Sequence, residues 1–215
     1  MNKIHLSYST INNCLQPENS HCWINKYVLK IPQEVTHYMT DGQAGHNIIQ
    51  GHVSKKNPDP RIKYIKDYFP IVEEKRFDER CKFSFEIEGY EMIGFFDGLN
   101  NEKKTDLEIK LTATTPWNLM RFQNSLQRKI YKMARPDLVK SVLITGSTNP
   151  ELWKTQKLKR FEVSATPQDA IDAKAWILAG IKVLEDGDYN GGLDEDGRCN
   201  LFRCPWGNKC HFKNI

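Results

Sequence analysis

The run Leu107-Glu108-Ile109-Lys110-Leu111 constrains this chain more than any other segment. It alternates apolar and charged residues, and side chains two apart on a strand share a face. A strand here sends Leu107, Ile109 and Leu111 into a core and projects Glu108 and Lys110 together on the other side. Upstream, Cys81 to Ile87 also alternates, Glu88-Gly89 reads as a turn, and Tyr90 to Asp97 as a second strand. Asn100 to Lys104 forms a second turn before the third strand, Asp106 to Leu111. The expectation is an antiparallel meander whose hairpin brings Asp97, at the end of its strand, alongside Glu108.

The flanks have the helical period. Ser7-Tyr8-Ser9-Thr10-Ile11 starts a helix, with serines able to cap orphan N–H groups. Pro17 to Ser20 breaks the chain, and Cys22 to Leu29 resumes an amphipathic stretch. A helix is expected from Asp41 to Val53, a loop over Lys55 to Pro60, and a helix from Arg61 to Phe69. Trp117 to Ala134 reads as one helix, with Leu119, Phe122, Leu126, Ile130 and Met133 at three-to-four spacing. Strands follow at Val139 to Thr145 and Lys159 to Val163, then a helix from Pro167 to Leu184 and a loop-rich tail. This order implies an α/β or α+β fold around one central mixed sheet. A single domain is expected over 1–215, with a helical part (1–70), a core (81–185) and a cysteine-rich tail (186–215).

Two close carboxylates repel unless a cation joins them, and burial worsens the repulsion. Magnesium or manganese suits such a pair, because hard cations prefer carboxylate oxygens, water and phosphate. Lys110 can hold a metal-bound water and neutralise developing negative charge. An isolated E-x-K is more often a solvated surface pair, so its company carries weight. His46, on the expected helix from Asp41, can offer an imidazole. Gln127 and Tyr131 are one helical turn apart and share a face. Arg121, Arg128, Lys129 and Lys132 flank that helix, and Lys154, Lys157, Lys159 and Arg160 form a second basic run. Each is a candidate phosphate contact or a solvated surface charge. Trp117 and Tyr131 are candidate stacking residues.

Hydrophobic residues at 39% and charged residues at 27% describe a globular mixture, neither disordered nor membranous. The net charge of +4 is too mild to require a nucleic-acid partner and is compatible with a local basic patch. The first residues have no apolar signal core, so an intracellular setting is expected: cytoplasm, or host cytoplasm for a phage-encoded chain. Of the six cysteines, Cys81 lies in a strand-like run and reads as a small buried hydrophobe. Cys14 and Cys22 lie near one end, and Cys199, Cys204 and Cys210 crowd a polar tail at the other. In a reducing compartment that distribution favours metal or cluster ligation over disulfides.

Taken in order, Ser7-x-Ser9, Gly42-x-x-x-His46, Gly94-x-x-Asp97, Glu108-x-Lys110 and Gln127-x-x-x-Tyr131 resemble the motifs of the PD-(D/E)xK nuclease superfamily, in its RecB-like branch. The resemblance implies a restriction-endonuclease-like α/β core, a central mixed sheet flanked by helices. It implies metal ligation by His46, Asp97, Glu108 and the Ile109 carbonyl. Lys110 would be the catalytic lysine, with Gln127 and Tyr131 in the same site. The activity implied is metal-dependent DNA exonuclease action on single-stranded or end-bearing DNA, in phage recombination and repair or CRISPR adaptation. Cys204-Pro205-Trp206-x-x-x-Cys210 resembles the final segment of RecB-like nucleases that carry a four-cysteine 4Fe-4S cluster, such as CRISPR-associated exonucleases and the AddB nuclease domain. That likeness implies Cys22, Cys199, Cys204 and Cys210 as ligands joining the two termini, with Cys14 the alternative to Cys22 and zinc the alternative to iron–sulfur. Two extra residues, Leu201 and Phe202, separate Cys199 from Cys204 where the family has a C-x-x-C. The alternative function is a non-catalytic DNA-binding or scaffolding subunit of a recombination complex.

Overall fold

The computed structural model describes residues 5–15 (13–15 as backbone), 32, 40, 43–44, 81–112, 117–149, 151–152, 155–156 and 158–186. The elements expected between 22 and 29 and 61 and 69, that between 41 and 53 apart from the helical residues 43–44, the loop at Lys55 to Pro60, and the tail beyond Asp186 lie outside the described residues, as do Lys154 and Lys157. Four helices and seven strands are described: β1 (His5–Leu6), α1 (Tyr8–Leu15), β2 (Lys82–Ile87), β3 (Tyr90–Phe95), β4 (Gly98–Asn100), β5 (Thr105–Thr112), α2 (Leu119–Gln123), α3 (Leu126–Ala134), β6 (Lys140–Ser147), β7 (Lys159–Ser164) and α4 (Pro167–Asp186).

The strands do not form the expected meander. They divide between a three-stranded sheet, ordered β1-β3-β2, and a four-stranded sheet, ordered β4-β5-β6-β7. The break falls at Phe96-Asp97, where the chain leaves β3 and starts the short strand β4. β5 pairs antiparallel with β4, Gly98 facing Leu107, and parallel with β6, Glu108 facing Leu143 and Lys110 facing Thr145. β7 closes the far side antiparallel to β6. The sequence reading missed β4 and the two-residue β1, because runs so short have no measurable period.

The turn expected at Glu88-Gly89 is present. Both residues have positive φ, 46° and 78°, the backbone that a two-residue type I′ hairpin requires.

A parallel pair needs a crossover, and the one between β5 and β6 carries α2 and α3. The single helix expected from Trp117 to Ala134 is therefore two. The Asn118 side chain caps α2 by accepting from the Arg121 N–H at 2.8 Å. Asn124 is the C-cap of α2 and Ser125, with extended backbone, the N-cap of α3, so the helix ends and restarts between them. Phe122 and Ile130 are buried, as core positions should be, whereas Leu119 is 40% exposed.

The chain groups into two compact units. One comprises residues 1–35, 86–92 and 174–215, the other 36–85 and 93–173. In the first, the Ser7 hydroxyl accepts from the Thr10 N–H at 3.2 Å and starts α1. Tyr8 stacks on Trp176 with centroids 5.9 Å apart, and β1 lies parallel to β3, His5 facing Glu91. A Cβ on Gly180 would run into Ile11, so the missing side chain admits α1 against α4.

In the second unit Leu107, Ile109, Val142 and Ile144 fill one face of the four-stranded sheet and are fully buried. Phe83, Phe96 and Tyr131 form an aromatic cluster, with Phe96 and Tyr131 centroids 4.6 Å apart. Gly94 has no room for a side chain, because a Cβ there would enter the Phe83 ring. α3 is pinned to the first turn of α4 by a forked ion pair. Arg128 Nη1 donates to Asp169 Oδ2 at 2.9 Å and Nη2 to Oδ1 at 2.5 Å. Asp169 also accepts from the Thr166 N–H at 2.8 Å and so closes the start of the helix.

Burial alone would raise the Asp169 carboxyl, but bonds from Arg128 and Thr166 outweigh it and hold it below the usual carboxylate range. A carboxylate depressed in this way contributes stability above its unfolded value of 3.8 and loses it as pH falls through the folded value. Asp169→Asn is expected to destabilise the protein at pH 7 by about 3–5 kcal/mol, as for a buried pair that loses one partner. It should also flatten the acid limb of the melting temperature below about pH 4. A variant with the wild-type acid slope would contradict this assignment.

Candidate active site

β5 places Asp106, Glu108 and Lys110 on one face, two residues apart. The crossover lays α3 over that face, and Gln127 and Tyr131 reach down from it. Four side chains close a circuit. Lys110 Nζ donates to Gln127 Oε1 at 2.9 Å, and Gln127 Nε2 donates to the Tyr131 hydroxyl at 2.8 Å. The Tyr131 hydroxyl donates to Glu108 Oε2 at 2.9 Å, and Glu108 Oε1 forms an ion pair with Lys110 Nζ. An ammonium can only donate, so the Gln127 carbonyl must face Lys110 and its amide Tyr131. The Tyr131 hydroxyl also lies 3.1 Å from the Phe95 carbonyl. Its one proton goes to the carboxylate when that group is charged, because charge-assisted bonds are the stronger.

Asp97 enters from the break between the sheets. Its Oδ2 accepts from the Ile109 N–H at 2.9 Å, one step beyond the last β4–β5 pair. Asp97 and Glu108 are 3% and 1% exposed. Burial pushes the Glu108 carboxyl up and the nearby Asp97 charge adds to this, against the pull of Lys110 and Tyr131. Tyr131 is pushed well above its ordinary value, by burial first and then by the two carboxylates. Glu108 Oε1 makes no hydrogen bond of regular geometry among the described residues; its contact with Lys110 is ionic.

The structure thus brings together Asp97, Glu108, Ile109, Lys110, Gln127 and Tyr131. Ile109 meets Asp97 through its N–H. His46, Cys22, Cys199, Cys204 and Cys210 lie outside the described residues, as does the Cys14 side chain. Among the described residues no group of three or more His, Cys, Asp or Glu is arranged to hold a metal ion.

Asp106 is a third acid on the carboxylate face that the sequence reading passed over. It is fully buried, Ser141 Oγ donates to its Oδ1 at 2.7 Å, and Oδ2 has no hydrogen-bond partner among the described residues. Burial pushes it up to about 7. Extending the alternation one step, to Asp106-x-Glu108-x-Lys110, would have found it. Trp117, a candidate stacking residue in the sequence, lies beside the site. Its N–H donates to Thr145 Oγ1 at 3.2 Å, and its ring centroid lies 5.5 Å from Lys110 Nζ.

No protein-family model matches the chain, and no curated protein matches it significantly. Solved structures do resemble it. A crystal structure described as "Putative exonuclease" from Eubacterium rectale covers 95% of this chain, with 88% of its own length aligned, at TM-score 0.56 and 10% identity. The protein SSO0001 covers 85%, with 78% of its own length aligned, at TM-score 0.55 and 14% identity. An alkaline exonuclease from Laribacter hongkongensis aligns over 85% of this chain and 89% of its own, at TM-score 0.45 and 14% identity. The fold is restriction-endonuclease-like. At these identities the first two likenesses speak to the fold, a mixed α/β core with helices flanking its sheets. No helix among the described residues is long and apolar enough to cross a membrane.

The circuit has an energetic signature of its own. Tyr131→Phe removes a donor to a buried carboxylate and is expected to cost about 1–3 kcal/mol. In a double-mutant cycle with Gln127→Leu the two changes should couple by roughly 0.5–3 kcal/mol in urea unfolding. Strict additivity would mean that Gln127 and Tyr131 act separately.

Proposed function

We propose that the chain is a divalent-metal-dependent deoxyribonuclease of the exonuclease type, with Asp97, Glu108 and Lys110 at its centre. The observation that carries this reading is the burial of Glu108 on the β5 face, paired with Lys110, next to the buried Asp97 at the start of β4, with Glu108 Oε1 lacking any regular hydrogen bond. Two desolvated acids with a raised Glu108 are unfavourable alone, and a hard cation between them removes the penalty. The donor chemistry therefore fits magnesium or manganese, held by Asp97 and Glu108, with His46 and the Ile109 carbonyl as the further ligands the sequence resemblance implies. When bound, such an ion polarises a phosphate and acidifies a water.

The chain's own residues do the rest. Lys110 presents positive charge where a phosphodiester gains negative charge. Gln127 and Tyr131 hold Lys110 and Glu108 in register, so neither reorganises during the reaction. The structural neighbour described as "Putative exonuclease" supports the choice of reaction. DNA as substrate, single-stranded or end-bearing, and a setting in recombination or CRISPR adaptation belong to the same proposal through the sequence motifs. So does a cluster held by Cys22, Cys199, Cys204 and Cys210.

The test is digestion of end-labelled DNA with magnesium or manganese. Glu108→Gln and Lys110→Met are each expected to lower the rate about 10²-fold or more while the fold is retained. Wild-type rates in both variants would remove the reading. Metal-independent binding with no product under either ion would favour the scaffolding alternative.

A further inference from the structure

The cations on the crossover helices are not equivalent. Arg128 is 3% exposed and forked onto Asp169. Lys129 Nζ is bound by Asp172 Oδ2 at 2.6 Å. Lys132 Nζ donates to the carbonyls of Pro136 and Leu138 at 2.7 and 2.6 Å. Arg135 is paired with Asp137. These four side chains are committed to holding the fold. Arg121, on α2, is exposed and has no acidic partner among the described residues. Its guanidinium sits over the Trp117 ring, 4.5 Å from the centroid to Cζ.

Trp117 is anchored beside the candidate active site through its backbone. The Trp117 N–H is tied to Thr145, and Thr145 faces Lys110 across the β5–β6 pairing. Lys110 Nζ approaches the same indole at 5.5 Å. Arg121 and Lys110 are thus two positive charges gathered at one ring, no farther apart than their two distances to its centre combined. Successive charges along one nucleic-acid strand are about 3.4 Å apart along the axis. The spacing suits phosphates that are neighbours or near-neighbours on one strand. Beside Arg121, Met120 is 67% exposed and Leu119 40%, so the cation borders apolar surface of the sort that bases cover.

From this we infer that Arg121, braced by Trp117, binds a backbone phosphate of a DNA strand close to the phosphodiester held at Lys110. The inference rests on the nuclease reading. Arginine suits the task because its planar fork matches a phosphate and remains charged, and stacking on an aromatic ring orders the side chain before the ligand arrives. Trp117 acts through Arg121 and is a positioning residue.

The experiment is fluorescence anisotropy of a labelled single-stranded DNA oligonucleotide bound to the full chain. It is run in EDTA to prevent digestion and repeated from 50 to 200 mM salt. Arg121→Gln is expected to weaken binding and to flatten the slope of log affinity against log salt by about 0.7, the contribution of one phosphate contact on a single strand. Arg121→Lys should keep the slope, and Lys129→Gln, already neutralised by Asp172, should leave it unchanged. Trp117→Leu should weaken binding in the wild-type background, Trp117→Phe less so, and neither should matter once Arg121 is Gln. An Arg121→Gln slope equal to wild type, or a Trp117→Leu loss that persists in that variant, overturns the inference. If the wild type still digests DNA with metal, the nuclease reading survives that failure. If the wild type neither binds nor digests the oligonucleotide, both fall.

Discussion

The parallel pairing of β5 with β6 is the constraint on which the candidate site depends. Parallel neighbours cannot be joined by a tight turn, so the chain must leave the sheet, cross a face and return. The chain between Thr112 and Lys140 makes that crossing, and among the described residues its helix α3 supplies Gln127 and Tyr131 to the carboxylate face. Gln127 and Tyr131 bond Lys110 and Glu108, and the Trp117 N–H bonds Thr145. Had β5 paired antiparallel on both sides, as in a meander, the same acids and lysine would have faced outward without that cover.

Burying this much charge is unfavourable, and the arrangement shows how the cost is contained. Glu108 is bonded at one oxygen by Tyr131 and pulled at the other by Lys110, while Gln127 links lysine and tyrosine into a ring of four. Asp97 accepts from the backbone N–H of Ile109, a bond that favours a carboxylate's charged form. Asp106 takes the other course. Burial pushes it up to about 7, and among the described residues Ser141 is its side-chain hydrogen-bond partner. The aromatic cluster of Phe83, Phe96 and Tyr131 excludes water from one side of the circuit. The close approach of Phe83 to Gly94 explains why glycine stands three residues before Asp97. A motif glycine is here a packing requirement that lets the strand carrying the acid lie against the aromatic ring.

The basic residues divide by the same logic of partners. On the crossover, away from the carboxylate face, Arg128, Lys129 and Lys132 spend their charge on acids or carbonyl oxygens of the fold, and Arg121, with no acidic partner among the described residues, keeps its charge for an anion. Sequence alone ranks Arg121, Arg128, Lys129 and Lys132 equally, since all lie on one helical stretch. Asp169 and Asp172, some forty residues downstream, separate them.

By itself the sequence determined the local structure of β5, because strict alternation admits only a strand and assigns its two faces. It determined the Glu88-Gly89 hairpin, because the turn demands positive φ, and the common face of Gln127 and Tyr131, because four residues make one helical turn. The motif order also pointed to the restriction-endonuclease-like fold that the solved structures share. Which strands pair, where the sheet breaks, and that Asn124 and Ser125 split the crossover helix were decided by tertiary structure. Strand pairing, the break after β3 and the closure of the four-residue circuit join residues far apart in the chain, and no local period encodes which distant partner a hydrogen-bonding edge or a buried charge will find.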